Sequence, residues 1–413
     1  MDSEKIIGVL ELGTIYLKSM IVQLSDDNEL EILGTSYVQS KGIHNGVIIN
    51  LADATNSIRN SLADVEKKSK VSLKKINIVF EPKEFLCTRI SKYKKIGGSK
   101  IQEDDISYLL REAKNQVKVN DINQDIIHIF NYNYVIDFKK FDSEPINMYA
   151  HFMQHETTII TTPKNILRNI NQCLINCDIE IEKFISRTFA LGVACLTSTD
   201  LRLGSAVIDI GYERTSIGIF NNTALTHSTT FPIGINHVTK DISRVCSISI
   251  NDSENIKNNL NLIYEKNNKN HLDDGDNHLA EHFFIESKFR KISVSLIESV
   301  VKARLEDIFT LIKKEIICSD LQLTVGKNIL ITGGGSNLSN IDKFCSHFFG
   351  CNVKKLNIPA SLNFLEDKSE NFNSCFGAVK LISNGFETEA IAHEKSKNKV
   401  KFDIFAKLFG EKD

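Results

Sequence analysis

Tryptophan is absent from this 413-residue chain and proline occurs only five times, while lysine, asparagine and isoleucine are abundant. That pattern reflects drift of base composition and carries no mechanism. The nine cysteines are odd in number and include no Cys-x-x-Cys pair, which argues against a disulfide framework or a zinc knuckle. Reduced core thiols in a cytoplasmic protein fit them best, with Cys173 and Cys177 four apart on an expected helix. No apolar run approaches the roughly 20 residues of a spanning helix, and the start, from Met1 to Gly8, lacks the basic and apolar stretches of a secretion signal. Neither sign of charge is in excess: 50 basic and 52 acidic residues give a net −2, so nothing in bulk attracts nucleic acid. The 11 histidines show no metal-ligand spacing; His151 and His155 read as one face of a strand, and no metalloenzyme role follows. What is present is 42% apolar residues, enough for cores in two domains.

The opening reads as a β-meander over Ile6–Glu11, Tyr16–Leu24 and Leu30–Gln39, with a turn at 25–28. Ala206–Ile210, Thr215–Phe220 and Ala224–Thr230 repeat the pattern, as a duplicated α/β lobe would. Helices are expected over Ala52–Lys68, Pro163–Cys177 with Thr162 as N-cap, Ile101–Val117 with a Ser99–Gln102 capping box, Phe283–Glu315 and near Ile341–Phe349. Further strands are expected at Ile76–Phe80, Asp125–Asp137 and Met148–Thr161. The change of pattern from about residue 85 marks an inserted subdomain, and Asn251–His282 reads as a helix with a long polar surface loop.

Three expected strands end in turns with phosphate-binding character. Glu11-Leu12-Gly13-Thr14 offers backbone amides and a hydroxyl, with Lys18 adding positive charge. Asp209-Ile210-Gly211 places a second carboxylate at the matching position of the second lobe, so Glu11 and Asp209 are candidates to hold hydrated Mg²⁺ across a cleft. Thr332-Gly333-Gly334-Gly335 lets backbone approach a purine where side chains would block it. Together the three pieces describe a two-lobed, actin-type nucleotide clamp binding ATP and Mg²⁺.

With these pieces, Lys41-Gly42-Ile43-His44-Asn45-Gly46, the stretch from His128 through Tyr134-Val135-Ile136-Asp137, Pro232-Ile233-Gly234, Val238-Thr239-Lys240-Asp241-Ile242 and Asp252-Ser253-Glu254-Asn255-Ile256-Lys257, nearly the whole chain resembles the FtsA family of bacterial cell-division proteins. The resemblance implies an α/β, actin-like two-lobed fold with duplicated mixed β-sheet lobes, an inserted subdomain in the first lobe and a C-terminal amphipathic tail. It implies that Glu254 and Lys257 reach the ribose and base. It also implies binding of the C-terminal tail of the tubulin-like protein FtsZ, with Lys288, Arg290, Lys291 and Arg304 as candidate contacts, and of other division proteins through the insert. Self-association into filaments and attachment to the cytoplasmic face of the inner membrane at the septum complete the expectation.

The chain departs from the family where an Asp-x-Gly-Gly-Gly-Thr turn is usual, reading Asp209-Ile210-Gly211-Tyr212-Glu213-Arg214. Glu213 adds an anion beside the expected phosphates, to be offset by Arg214. The connecting helix, expected within Phe184–Leu201, has no Glu or Gln to orient an attacking water, so turnover is expected to be slow or absent. Glu81-Pro82 replaces a Ser-Gly step seen in relatives, with no interpretation from sequence.

At the far end Val400, Phe402, Ile404, Phe405, Leu408 and Phe409 form one face of a helix, interrupted by Lys401, with Lys407 opposite. From position 395 six lysines against three acidic side chains leave +3, suited to an anionic leaflet. The expected organisation is 1–84 and 163–203 for the first lobe with its connecting helix, 85–162 for the insert, 204–382 for the second lobe, 383–398 for a flexible linker and 399–413 for a membrane-targeting helix. An actin-fold sugar or acid kinase and a nucleotide-free pseudo-ATPase scaffold remain the alternatives.

Overall fold

A computed structural model describes residues 5–25, 29–259, 278–321, 328–355 and 372–390. The first lobe begins with three antiparallel strands, β1 (Lys5–Leu12), β2 (Tyr16–Leu24) and β3 (Leu30–Gln39). A short hairpin, β4 (Ile43–His44) with β5 (Val47–Ile48), leads into helix α1 (Leu51–Ser69), capped by the Asn50 side chain on the amides of Ala52 and Asp53. Strand β6 (Lys75–Phe80) then pairs parallel to β1.

The chain leaves this lobe through β7 (Leu86–Lys100), α2 (Glu103–Asn120), β8 (Gln124–Ile136), β9 (Lys139–Phe141) and β10 (Tyr149–Pro163). These strands form their own sheet, in the order β7-β10-β8-β9, with α2 against one face through Ile106, Leu109, Ala113 and Val117. The cap of α2 is Gln102 with Asp105; the Ser99 hydroxyl instead donates to the Ile96 carbonyl, because Ser99 ends β7. The chain returns through α3 (Lys164–Ile175) and β11 (Glu180–Ser186). Pro163 caps α3 without a side-chain bond, and Thr162, expected in that role, is buried inside β10.

The connecting segment is two helices, α4 (Arg187–Cys195) and α5 (Ser198–Leu203), and Phe184 lies in β11. The second lobe repeats the first: β12 (Ser205–Ile210), β13 (Thr215–Asn221) and β14 (Ala224–Phe231) are antiparallel. After α6 (Ile235–Cys246), α7 (Ile250–Asn259) and α8 (Val294–Cys318), strand β15 (Ile329–Thr332) pairs parallel to β12. Helix α9 (Ile341–Phe349) and strand β16 (Val353–Lys355) complete it, and helix α10 (Asn373–Asn384) returns to pack on α4 and on β1, β2 and β6 of the first lobe. The helix expected over Phe283–Glu315 starts only at Val294; residues 284–293 are irregular because the Asp252 carboxylate takes the amides of Ile285, Glu286 and Ser287.

The two sheets run β11-β6-β1-β2-β3 and β16-β15-β12-β13-β14. Three antiparallel strands flanked by two parallel ones occur in the same order twice, and in each the central strand ends in the candidate carboxylate. Period-2 burial splits the second sheet between two cores. Val207 joins Phe189, Phe220 and Leu225 in the core shared with the first lobe, while Ala206, Ile208 and Ile210 face α6 and α8. Helix α10 packs on α4 so closely that a Cβ on Gly377 would lie 1.9 Å from the Ala190 carbonyl oxygen.

Residues 385–390, assigned from sequence to a flexible linker, are held against the insert. Asn131 donates to the Thr388 carbonyl and Ala390 to that of Ile129, both at 2.7 Å, adding a short strand-like edge to β8. Phe386 packs edge-on against Phe130 and Phe189. Glu389 lies buried between His128 Nδ1 at 2.5 Å and Lys183 Nζ at 3.2 Å. His128 Nε2 accepts from the Ser186 amide at 3.0 Å, so the ring proton sits on Nδ1 and points at Glu389. The remainder of the expected linker and the amphipathic segment, with Val400, Lys401, Phe402, Ile404, Phe405, Lys407, Leu408 and Phe409, lie outside the described residues.

Burial raises the Glu389 carboxyl, but His128 and Lys183 outweigh it and hold the pKa down at about 2, against 4.5 for a free side chain. A carboxylate depressed in the folded state contributes stability that is present above its unfolded pKa and lost as pH falls through the folded one. Glu389→Gln is therefore expected to cost about 1–3 kcal/mol near neutral pH, with the deficit shrinking below about pH 4, in denaturant unfolding at a series of pH values.

Candidate functional site

Strand pairing brings Glu11 and Lys18 face to face on β1 and β2, and Lys18 Nζ bonds both Glu11 oxygens, at 3.0 and 3.2 Å. Asp209 ends β12 between Ser216 of β13 and Thr332 of β15. Both carboxylates are nearly inaccessible, 1% and 3% exposed, and both face one cleft of about 540 Å³ between the lobes. The carboxyl ends of parallel strands are where α/β sheets bind ligands, because the turns there are free of side-chain packing.

Between the two carboxylates stands Arg187, the first residue of α4. Its Nη1 is 2.8 Å from Asp209 Oδ2 and its Nε 3.3 Å from Glu11 Oε1. The Nε contact is an ion pair without hydrogen-bond alignment. Burial pushes the Glu11 carboxyl up, but Lys18 and Arg187 outweigh it, aided by the Ser374 hydroxyl, and hold it below the usual carboxylate range. Burial likewise works against the Arg187 charge, and Asp209 and Glu11 restore it with a margin. The place assigned from sequence to hydrated Mg²⁺ thus holds a guanidinium. A divalent cation there would sit against Arg187 and Lys18, so the residues present do not fit the metal.

The turn after Asp209 is tight. Gly211 donates to the Arg214 carbonyl at 2.7 Å, and Ile235 and Asn236, opening α6, donate to the carbonyls of Gly211 and Tyr212 at 2.9 and 2.8 Å. A Cβ on Gly234 would lie 2.6 Å from the Gly211 oxygen, the Tyr212 oxygen and the Arg214 nitrogen, so only glycine lets α6 approach. The Glu213 carboxylate, expected to repel phosphate, lines the cleft with His44 Nδ1 of the first lobe 3.0 Å from Oε2, without hydrogen-bond alignment, and Lys240 at 4.0 Å. Arg214 turns inward and crosses to the Gly46 turn, where its Nη1 is buried without a hydrogen-bond partner. Burial and the neighbouring Arg187 bring its pKa down to about 10. Glu81, opaque in the sequence, also lines the cleft: Oε2 accepts from the Ser186 hydroxyl at 2.9 Å and the Thr188 amide at 3.0 Å, and burial pushes its carboxyl up.

At the other end the cleft is bounded by Tyr212, Glu254, Lys257, Asn258, Gly334 and Asn337. Lys257 is buried and bonds Glu254 at 2.6 Å and Thr239 at 3.0 Å, which orients the Glu254 carboxylate from α7. Gly13, Thr14 and Gly211 line the cleft as well. Of the third turn, Gly334 lines it, Gly333 lines a smaller adjoining cavity of about 190 Å³, and Gly335 is packed behind against Ile210.

The candidate partner residues separate. Lys288, Arg290 and Lys291 are exposed in the irregular segment before α8, whereas Arg304 on α8 bonds Asp241 of α6 at 2.5 Å and Asp307 at 3.2 Å, joining two helices. Reading the sequence missed Arg187, Glu81 and the stacked pair Tyr16–Tyr37, of which all four residues line the cleft. A lone arginine inside the apolar run from Phe184 to Leu196 was the available signal for the first.

Gly234→Ala is expected to destabilise the fold by about 1–3 kcal/mol through displacement of the 211–214 turn, read as a lowered denaturant midpoint at unchanged slope.

The described residues include no helix long and apolar enough to cross a membrane and no cluster of three or more metal-ligating side chains. A family model described as cell division protein FtsA matches residues 206–372, and one described as the SHS2 domain inserted in FtsA matches residues 84–161. The cell division protein FtsA of Agrobacterium fabrum is 25% identical over 361 residues, covering 84% of this chain and 80% of that protein. That of Borreliella burgdorferi is 24% identical over 415 residues, covering 99% and 98%. Among solved structures, a PilM–PilN type IV pilus biogenesis complex superposes with a TM-score of 0.65 at 12% identity, over 91% of this chain and 98% of the other, a likeness of fold. The expected actin-like α/β fold with an inserted domain is the one observed. On its two matching models and its full-length relatives, the chain belongs to the FtsA family of cell division proteins.

Proposed function

We propose that this chain is a nucleotide-binding tether of the division septum. ATP in the cleft draws the lobes together and favours filament contacts with further copies; the second lobe holds the acidic C-terminal tail of FtsZ; the insert meets later division proteins. The amphipathic segment 399–413 anchors the assembly, as a peripheral protein, to the anionic cytoplasmic face of the inner membrane.

One observation carries the nucleotide part of this reading: turns from two copies of one sheet topology converge on a cleft of about 540 Å³, a volume suited to one small ligand. The turns after Glu11 and Asp209, with the Arg214 guanidinium, supply a phosphate end; Glu254, Lys257 and the Gly334 turn supply a nucleoside end. The exposed Lys288, Arg290 and Lys291 suit an acidic peptide, and Arg304, committed to Asp241, leaves that set. Hydrolysis is slow or absent, since α4 carries no Glu or Gln to orient a water. The inserted domain weighs against a sugar or acid kinase. A nucleotide-free scaffold keeps one point in its favour, the Arg187 bridge that already ties Glu11 to Asp209.

Calorimetric titration of ATP into the full chain is expected to show one site, weakened about tenfold or more by Arg214→Ala. Absence of any heat would leave the scaffold reading. In flotation with anionic vesicles, removal of residues 399–413 is expected to abolish recovery with the lipid; retention would move the anchor elsewhere.

A further inference from the structure

The carboxylates that a metal–nucleotide complex would need are already spent. Glu11 is bonded by Lys18 and approached by Arg187, and Asp209 is bonded by Arg187 from the opposite lobe. An arginine differs from a metal ion in three ways that matter here. It is covalently fixed, it stays charged at any physiological pH, and its planar fork still has donors to offer once two carboxylates are engaged. A second cation stands beside it: Arg214 lines the same cleft, with its Nη1 buried at the Gly46 turn. Lys18 and Arg187 also line the adjoining cavity of about 190 Å³, where Lys355 joins them. Cationic side chains therefore converge on the phosphate end from β2, α4 and the 211–214 turn.

We propose that Arg187 occupies the place of the divalent cation, so that the cleft binds a nucleoside polyphosphate as the metal-free anion. The inference rests on the nucleotide reading above. Arg187 and Lys18 neutralise Glu11 and Asp209, which would otherwise repel the phosphates, and the Arg214 guanidinium adds positive charge along the same cleft. Because the bridging charge belongs to the chain, it also links the lobes when the cleft is empty. Chelated ATP, with magnesium on its phosphates, would bring a second cation against Arg187 and is the poorer ligand.

The test is a titration of ATP, and separately of ADP, into the full chain in excess EDTA and in excess magnesium. Wild-type affinity in EDTA is expected to equal or exceed that in magnesium. Arg187→Ala is expected to lose about tenfold or more in EDTA and to recover part of the loss when magnesium is added, since two exposed carboxylates then become a metal site. Arg187→Lys, which keeps the charge and loses the fork, should fall between; it serves if the alanine variant fails to fold by circular dichroism. Wild-type binding tenfold tighter with magnesium would overturn this inference while leaving the nucleotide reading intact. So would an Arg187→Ala protein that folds and binds in EDTA as the wild type does. No binding in either buffer would remove the nucleotide reading and this one with it.

Discussion

The ion pairs from Arg187 to Glu11 and to Asp209 set the geometry on which the rest of the cleft depends. Two nearly inaccessible carboxylates facing one site repel each other more strongly than they would in water, because the effective dielectric of a protein is lower. A guanidinium between them converts that repulsion into attraction and fastens the ends of β1 and β12 to the start of α4. Breaking it from either side would strand a buried charge, which is why such triads hold their geometry even where they add little net stability.

The triad is connected outward through the residue before it. Ser186 caps α4, its hydroxyl and the Thr188 amide hold Glu81, and its own amide is held by His128 of the insert. His128 in turn faces Glu389, the point where the chain leaves the described fold against β8. Through the peptide link from Arg187 to Ser186, the ion pairs of the cleft carboxylates are joined to a set of hydrogen bonds that reaches the inserted domain and Glu389.

Much of this was legible in the linear chain. The two meanders announced themselves by apolar runs punctuated by Gly, Asn and Asp, and their spacing disclosed the repeat that became two identical sheet orders. Glu11, Asp209, Glu254 and Lys257 were identifiable because they stand at strand ends or in a family motif, and all four line the cleft. The boundary of α4, the cap of α3 and the start of α8 were not: Thr162 looks like a cap until β10 is seen to extend through it, and the periodicity at 283–293 yields to three amides gathered by Asp252.

By itself the sequence determined which side chains exist near each turn and how often the pattern repeats, because strand alternation and turn chemistry are local properties. The direction in which charges point was decided only by tertiary structure. Glu213 and Arg214 are neighbours in the chain and both line the cleft, yet one turns to His44 and the other carries its Nη1 to the Gly46 turn. Likewise nothing local could say that Arg187 would meet Glu11, 176 positions earlier in the numbering, and Asp209 at once. Long-range electrostatics depends on distances through space, and those come into being only when both lobes have folded.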